Sequence, residues 1–267
     1  MHSSPARVAI AKLAAAAEGG VLTLDAAATA LGTDHRATTR RLGALIRAGW
    51  ISRVRRGVFT IRPLEAAPGV ELAEEDSWAL AARIFAPCYI GGWTAAGHWN
   101  LTEQLFRSTF VITRRPVRRS DVVVGSTAFH LARQMRKSTS GLTTVWRGNA
   151  KVNVSGIERT VIDACVNPSW VGGGRHLVEI FRSAVADNRT TPATLLREMR
   201  AGMTGAAFGR LCFLTEQYWP SAVSVAEYAR AHRGTGYVRF DPSVPGRGRL
   251  SRRWGLWLNV TLPDPVR

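Results

Sequence analysis

The sequence predicts an α+β protein in which an N-terminal winged helix-turn-helix domain precedes a larger mixed α+β domain. Residues 33–62, TDHRATTRRLGALIRAGWISRVRRGVFTIR, show the pattern of a basic helix, a Gly-Trp stop and two β-rich runs. Two shorter helical patterns precede this stretch. Short strands mixed with helices follow it, after a segment rich in Pro, Ala and acids. The expected division is residues 1–63 for the winged helix, 64–76 for a linker and 77–267 for the second domain.

The composition favours a polyanionic partner. The chain has 36 Lys+Arg against 19 Asp+Glu and a net charge of +17, and nucleic acid is the simplest polyanion. Arg outnumbers Lys by 33 to 3, as a GC-rich genome also produces, but that bias alone does not make a chain this basic. A hydrophobic content of 46% is ordinary for a globular protein and provides a sizeable core.

The cysteines indicate a reducing compartment. Cys88, Cys165 and Cys212 are far apart and form neither a Cys-x-x-Cys pair nor a Cys/His cluster, so we expect no metal site and no disulfide framework. The N-terminus lacks a clean signal-peptide core, and no run approaches the roughly 20 apolar residues of a membrane span. We therefore expect a cytoplasmic protein without membrane contact.

Capping signals set the helix boundaries of the N-terminal domain. A helix is predicted over residues 5–17, and a second helix runs to Leu31 from Thr23, its predicted N-cap. Gly32 closes the second helix, and Thr33 is the predicted N-cap of the third. Helix, short helix, turn, helix and hairpin, within about 60 residues, is the winged helix-turn-helix order.

The third helix has an apolar side and a basic side. Thr38, Leu42, Leu45 and Ile46 recur at helical spacing and should pack on the first two helices. Gly43 lies on the basic side, where it disfavours the helix by roughly 1 kcal/mol relative to Ala but would let DNA approach the backbone.

The basic side predicts an interface for duplex DNA. Arg36 and Arg40 are expected at base edges, because a guanidinium can bond guanine bidentately. Arg41 and Arg47 flank them and are expected at phosphates. Residues 1–62 hold ten Lys/Arg and three Asp/Glu, a charge of +7; the alternative is a solvated face that binds nothing. The predicted DNA-binding set is His35, Arg36, Thr39, Arg40, Arg41 and Arg47 on the helix, with Arg53, Arg55 and Arg56 on the wing.

Helical and strand patterns alternate irregularly in the second domain. Ser155 and Glu158 have the spacing of a capping box that would open one of its helices. The predicted helices are 78–85, 94–99, one starting at 157, 176–186, 192–200, 204–216 and 222–232, and the predicted strands are 109–112, 122–124, 142–146, 150–154 and 254–262.

Searches for catalytic motifs in the second domain give negative results. Gly125-Ser126 could open a polymerase-β-type nucleotidyltransferase motif, but residues 127–145 contain no acid to bind the metal ions. No acid stands two residues before any lysine, which a restriction-type nuclease motif requires, and no Gly-x-x-x-x-Gly-Lys loop or Gly-x-Gly-x-x-Gly fingerprint occurs. We expect no enzymatic activity, no catalytic residues and no cofactor.

Three weaker signals have structural alternatives. The glycines at 172–174 precede a helix and could hold a phosphate at its N-terminus, although a plain loop is favoured. His98 could be a general base, but no partner is specified and a structural histidine is favoured. Glu158 and Asp163 could bracket a buried Arg159, in which case an ion pair that supports the fold is favoured over catalysis.

Three segments resemble a known family. They are RAGWISRVRRGVFTIRP at the wing, DSWALAARIFAPCYIGGWTAAGHWNLTEQLFRSTFVITRRPVR after the linker, and VWRGNAKVNVSGIERTVIDACVNPSWVGGGRHL in the middle of the chain. Together they resemble the AbiEi family of antitoxins and transcriptional regulators from type IV toxin–antitoxin and abortive-infection systems. The resemblance covers most of the chain, and the last 60 residues match less clearly.

The resemblance implies a function in phage defence. The winged helix would bind inverted repeats in the promoter of its own operon and repress it, as a monomer in solution or a dimer on DNA. The second domain would counteract a nucleotidyltransferase toxin, by direct contact or indirectly. One alternative is a stand-alone winged-helix regulator whose second domain senses a ligand or a protein. Another is an enzyme acting on nucleic acid or on the toxin.

Overall fold

The computed structural model describes residues 5–17, 20–61, 76–124, 127–134, 138–203 and 205–264, and it confirms the α+β fold class. The predicted linker, apart from Asp76, and the Gly125-Ser126 pair lie outside the described residues. In the N-terminal region every predicted helix and strand is present. Its elements are α1 (Pro5–Ala16), β1 (Val21–Thr23), α2 (Leu24–Leu31), α3 (His35–Arg47), β2 (Ile51–Arg55) and β3 (Val58–Ile61).

Of the two predicted N-caps in the winged-helix region, one is confirmed and one is wrong. Thr23 caps α2 by accepting the Ala26 N–H at 3.2 Å, and Gly32 ends that helix in the left-handed conformation. The N-cap of α3 is Asp34, whose carboxylate accepts the Ala37 N–H at 2.7 Å. Thr33 was predicted there, but its hydroxyl bonds Thr38 instead, so the carboxylate one residue later satisfies the helix start.

The strands of this region form a three-stranded sheet in the order β1-β3-β2. Leu42 and Leu45 of α3 pack with Ile10 and Leu13 of α1 in one hydrophobic cluster, as the helical spacing predicted. Thr38 is fully buried beside them, while Ile46 is partly buried. The opposite side of α3 therefore faces away from the region's core.

The C-terminal region contains a six-stranded mixed sheet, a small three-stranded sheet and the helices that cover them. Its elements are α4 (Ser77–Ile84), β4 (Cys88–Ile90), α5 (Gly92–His98), β5 (Thr109–Thr113), β6 (Asp121–Val124), β7 (Thr127–Arg133), β8 (Leu142–Arg147), β9 (Ala150–Ser155), α6 (Ile157–Val166), α7 (Gly174–Val185), α8 (Pro192–Arg200), α9 (Gly205–Tyr218), α10 (Val223–His232), β10 (Val238–Arg239), β11 (Arg249–Ser251) and β12 (Leu256–Leu258). The large sheet has the order β6-β7-β5-β4-β9-β8 and the small sheet the order β10-β12-β11. Strand β5 runs parallel to β7 and antiparallel to β4.

The large sheet is covered on both faces. On β5, Val111 joins the cluster under α4, whereas Phe110 and Ile112 join a second cluster with Tyr89 and Trp170. Alternate residues of one strand thus face opposite layers, as strand geometry requires. The largest hydrophobic cluster lies among helices α6 to α10 and the small C-terminal sheet.

A buried arginine joins that sheet to the helices. Arg210 on α9 is 2% exposed and donates to the carbonyls of Arg239 and Phe240 at 2.7 and 2.9 Å. It also donates to the carbonyl of Cys165 at 2.8 Å, in the last turn of α6. Backbone carbonyls thereby satisfy most of its donors, as burial of a guanidinium demands.

The predicted capping box at α6 is wrong. The N-cap is Gly156, without a side-chain cap bond, while Ser155 bonds Thr160 at 2.8 Å. Glu158 accepts from Thr190, which precedes α8, at 2.9 Å. Partners distant in sequence have taken the side chains that the local pattern assigned to the cap.

The winged helix packs against the C-terminal region. Val21 of β1 and Val58 of β3 belong to the same buried cluster as Trp78 and Leu80 of α4, and β1 contacts α4. We call these four residues the seam. Nearby, the Asn149 side chain donates to the Ala17 carbonyl at 2.5 Å. The winged helix is therefore packed against the C-terminal region through apolar side chains, in addition to being covalently connected to it.

Candidate nucleic-acid interface

The exposed side of α3 carries a row of arginines. Arg36 and Arg40 are exposed on one face of the helix, with Gly43 and exposed Arg47 on the following turns. We call these four residues the α3 stripe. The guanidinium groups of the stripe and of Arg41, also exposed, make no hydrogen bond or ion pair with any other described residue. Their donors are available to an external anion such as DNA phosphate or a guanine edge.

Gly43 is not required by the packing of the protein. A Cβ built on it would meet only the Arg47 Nη1 atom within 4 Å, at 3.8 Å. Its φ is also outside the left-handed range that favours glycine. An interior helix glycine disfavours the helix by roughly 1 kcal/mol relative to Ala, so neither packing nor backbone strain accounts for it. The missing side chain leaves the surface of α3 open at this turn, between Arg40 and Arg47.

Two predicted contact residues are engaged within the protein. His35 Nε2 lies 3.0 Å from Asp25 Oδ1 on α2, a contact that ties the two helices together at the surface. Thr39 donates its hydroxyl to the His35 carbonyl at 2.7 Å, which leaves it only as an acceptor and a methyl group. These contacts occupy the Nε2 atom of His35 and the hydroxyl hydrogen of Thr39, and DNA contact by either residue stays a prediction.

The wing supplies a second basic element. Arg53 on β2 and Arg56 in the turn to β3 are exposed. Gly57 has a φ of +77° and lets the hairpin turn tightly. The side chain of Arg55 lies outside the described part of the structure.

The interface is nearly free of acid. Between residues 33 and 61 the single carboxylate belongs to Asp34, which caps α3, and Asp25 of α2 reaches the interface at His35. The field over the α3 stripe and wing is therefore positive, which favours phosphate contact at low salt.

The glycine turn at 172–174 is already occupied. The Gly174 N–H at the start of α7 donates to Asp241 Oδ2 at 2.6 Å, and Asp241 is 3% exposed. Burial opposes ionisation of that carboxyl, but hydrogen bonds from Ser243 and Gly174 outweigh it and hold its pKa below the ordinary value. A buried anion of the protein itself thus stands where the phosphate alternative would have placed a ligand.

Arg159 forms a buried network, as the sequence suggested in part. It is fully buried, and its Nε atom lies 3.7 Å from Asp163 Oδ2. It also donates to the carbonyls of Ser138 and Ser140 and to the Tyr89 hydroxyl, which itself donates to Asp163 at 2.7 Å. Glu158, predicted as the second partner, is not one of them. The network joins α6, β4 and the lead into β8.

Two further titratable side chains, His98 and Cys165, have shifted pKa values. His98 is exposed, with its ring 5.1 Å from that of Trp78; partial burial, then the charge of Arg147, lower its pKa. Burial raises the pKa of Cys165 to about 12, which opposes thiolate formation. Within the described ranges, no group of three or more His, Cys, Asp and Glu could hold a metal, and no helix could span a membrane.

Comparison with known proteins gives a structural likeness. No family model matches the chain, and no curated protein matches its sequence. The fold is similar to the crystal structure of the RV2827C protein from Mycobacterium tuberculosis, with a TM-score of 0.63 and 20% sequence identity. The match covers 94% of this chain and 90% of that one. It shows a shared fold that extends through both regions.

Proposed function

We propose that this protein is an operator-binding antitoxin of the AbiEi type. In this proposal the α3 stripe reads the major groove of inverted repeats in its own promoter, and the wing contacts the backbone. The C-terminal region counteracts a nucleotidyltransferase toxin. The observation that carries the DNA-binding part is the acid-poor row of unpaired guanidinium groups on the exposed face of α3. The antitoxin part rests on the sequence resemblance.

The first experiment is a salt titration of DNA binding by fluorescence anisotropy. It compares the inverted repeat upstream of the protein's own gene with a scrambled duplex of equal length. We expect tighter binding to the repeat and a steep fall of affinity with salt, because each phosphate contact releases counterions. Equal, weak binding to both duplexes would leave only a generic basic attraction.

Substitutions then separate the two kinds of DNA contact. Arg36→Ala or Arg40→Ala should weaken binding to the repeat by about 5- to 150-fold and relax base preference, as a loss of roughly 1–3 kcal/mol implies. Arg56→Ala, and by the same reasoning Arg55→Ala, should weaken binding to both duplexes and flatten the salt slope. If Arg40→Ala weakens both duplexes equally, direct base readout by α3 is wrong.

Neutralisation of the toxin is best tested with substitutions that leave the winged helix in place. Deleting residues 1–62 should end repression and leave neutralisation largely intact, but it would also uncover Trp78 and Leu80 of the seam. The double variant Arg36→Ala/Arg40→Ala leaves the seam covered. Co-expressed with the adjacent toxin gene, it should protect cells as the native protein does while a promoter reporter is derepressed. Loss of protection would place neutralisation at the DNA-binding surface.

A second candidate is a stand-alone regulator whose C-terminal region senses a ligand. The seam favours it, because a signal received beside Trp78 could reach the winged helix through packed side chains. The absence of a toxin-like reading frame next to the gene would support this candidate over the first.

A further inference from the structure

A groove of about 540 Å³ opens beside the seam, between α4, α5 and the loop that leads into β5. That volume is typical of small-ligand sites, which span roughly 300–1,000 Å³. Trp93 and Phe106 stack with their ring centroids 4.8 Å apart and build one wall. The Trp93 indole donates to the Ser108 carbonyl at 2.8 Å and fixes that wall, and Trp78 also lines the groove.

The polar groups of the groove suit an anion. Arg107 lines it, is exposed, and pairs with none of the described residues. Ser77 accepts from Thr109 at 2.7 Å, and Thr94 accepts the Phe110 N–H at 2.8 Å. The hydroxyl hydrogens of Ser77 and Thr94 have no acceptor among the described residues. The described lining contains no Asp or Glu, so it offers donors and one positive charge.

The groove also has uncovered apolar surface. Leu105 on its rim is 98% exposed, more than any other large apolar side chain in the described part of the chain. A Cβ built on Gly97, which lines the groove on α5, meets no atom within 4 Å. A ligand with an apolar body would cover the leucine, and a larger side chain at Gly97 would enter the groove without disturbing the packing.

Trp78 connects the groove to the winged helix. It lines the groove and belongs to the seam cluster with Val21 and Val58. The Arg147 guanidinium lies 4.1 Å from the centroid of the Trp78 ring, so this side chain is packed on a cation as well as on its apolar neighbours. A ligand that contacts its indole therefore touches a ring that belongs to the buried cluster between α4 and the winged helix.

We propose that the groove is an effector site for a small organic anion with a planar apolar body, and that its occupancy is coupled through Trp78 to the DNA affinity of the winged helix. The coupling rests on the proposed DNA binding, whereas ligand binding does not. Because coupling is reciprocal, duplex DNA must change the affinity for the ligand by the same factor.

The binding test uses the fluorescent probe anilinonaphthalene sulfonate on the full chain, with the neutral N-phenylnaphthylamine as a charge-free analogue. We expect one sulfonate site per chain, weakened about tenfold by Arg107→Gln, which removes the charge-assisted bond, and by Gly97→Leu, which fills the groove. Arg107→Gln should leave the neutral analogue unaffected. Arg175→Gln, an exposed arginine on α7, is the matched control and should change neither. If the native protein and the Arg107→Gln, Gly97→Leu and Arg175→Gln variants all bind the sulfonate probe equally, the proposal is wrong.

The coupling test measures duplex affinity with and without saturating probe. We expect a change of about fivefold or more, lost in Gly97→Leu, whose thermal midpoint should stay close to that of the native protein. Since the probe is an anion, Arg36→Ala/Arg40→Ala must leave probe binding intact; loss there would show that the probe occupies the α3 stripe and would overturn the proposal. Groove binding without any effect on DNA affinity would overturn the coupling. If the protein binds no duplex in the absence of probe, the proposed DNA-binding function is wrong, and the probe-binding experiment still tests whether the groove is a ligand site.

Discussion

Replacing Arg159 by Met should be among the most destabilising substitutions in the chain. The variant leaves the Asp163 carboxylate, with a side chain 4% exposed, without its cation and frees the carbonyls of Ser138 and Ser140. The Tyr89 hydroxyl still donates to Asp163, but a neutral hydroxyl does not replace the charge of the guanidinium. Breaking a buried pair in this way costs about 3–5 kcal/mol, which is a large share of the roughly 5–15 kcal/mol that stabilises an ordinary domain.

Urea unfolding followed by tryptophan fluorescence measures this loss. With an m-value near 3 kcal/mol/M, the Arg159→Met midpoint should fall by roughly 1–1.7 M. Arg175→Met, an exposed arginine near the N-terminus of α7, is the control and should stay within about 0.5 kcal/mol of the native protein. Adding Asp163→Leu to Arg159→Met should recover part of the loss, because no carboxylate remains buried. A loss below about 1 kcal/mol for Arg159→Met would refute a buried, structurally required pair.

Three further predictions concern the carboxylate of Glu216, which two arginines contact, and two glycines. Burial raises the pKa of Glu216, but bonds from Arg253, Arg230 and Trp254 outweigh it and bring that pKa to about 2. Glu216→Gln should lower the free energy of unfolding by about 1–2 kcal/mol at neutral pH; the effect is limited because Arg230 and Arg253 are exposed to solvent. In unfolding titrations the difference from the native protein should disappear as pH falls from 4.5 towards 2, where Glu216 of the folded native protein becomes protonated. Gly97→Ala should raise the free energy of unfolding by about 0.5 kcal/mol, and the thermal midpoint slightly, because alanine favours the helix and its Cβ meets no neighbour. Gly209→Ala should lower the free energy of unfolding by roughly 1–3 kcal/mol, because its Cβ would lie 2.6 Å from the Trp254 carbonyl oxygen. Calorimetry that ranks the thermal midpoints of the two glycine variants the other way would contradict the packing argument.

The sequence predicted best where the physics is local. The period of α3 and the Gly32 stop depend on neighbours within four residues, and the structure has both. Asp34 displaced Thr33 as the cap because both residues offer an acceptor and only the geometry decides between them. The stripe of arginines follows from the same helical period, whereas the Asp25 partner of His35 lies on another helix.

Prediction failed where the partner is distant. Strand β7, TAFHLAR, was not predicted, because its Ala, Leu and Arg favour helices and its extended form depends on pairing with β5 and β6. The Asp241 cap of Gly174 joins positions 67 residues apart. The seam was not predicted either, since the local pattern assigns Val58 to a strand and Trp78 to a helix and says nothing of their contact.

The small C-terminal sheet bears on how the protein is made. During synthesis α6 and α7 leave the ribosome well before residues 239–241, which supply the carbonyl partners of Arg210 and the carboxylate at Gly174. Until then the Arg210 guanidinium lacks two of its carbonyl partners, and the start of α7 lacks the Asp241 carboxylate, within the largest hydrophobic cluster. A nascent or truncated chain that stops before Arg239 should therefore be recognised by chaperones and proteases and fail to accumulate.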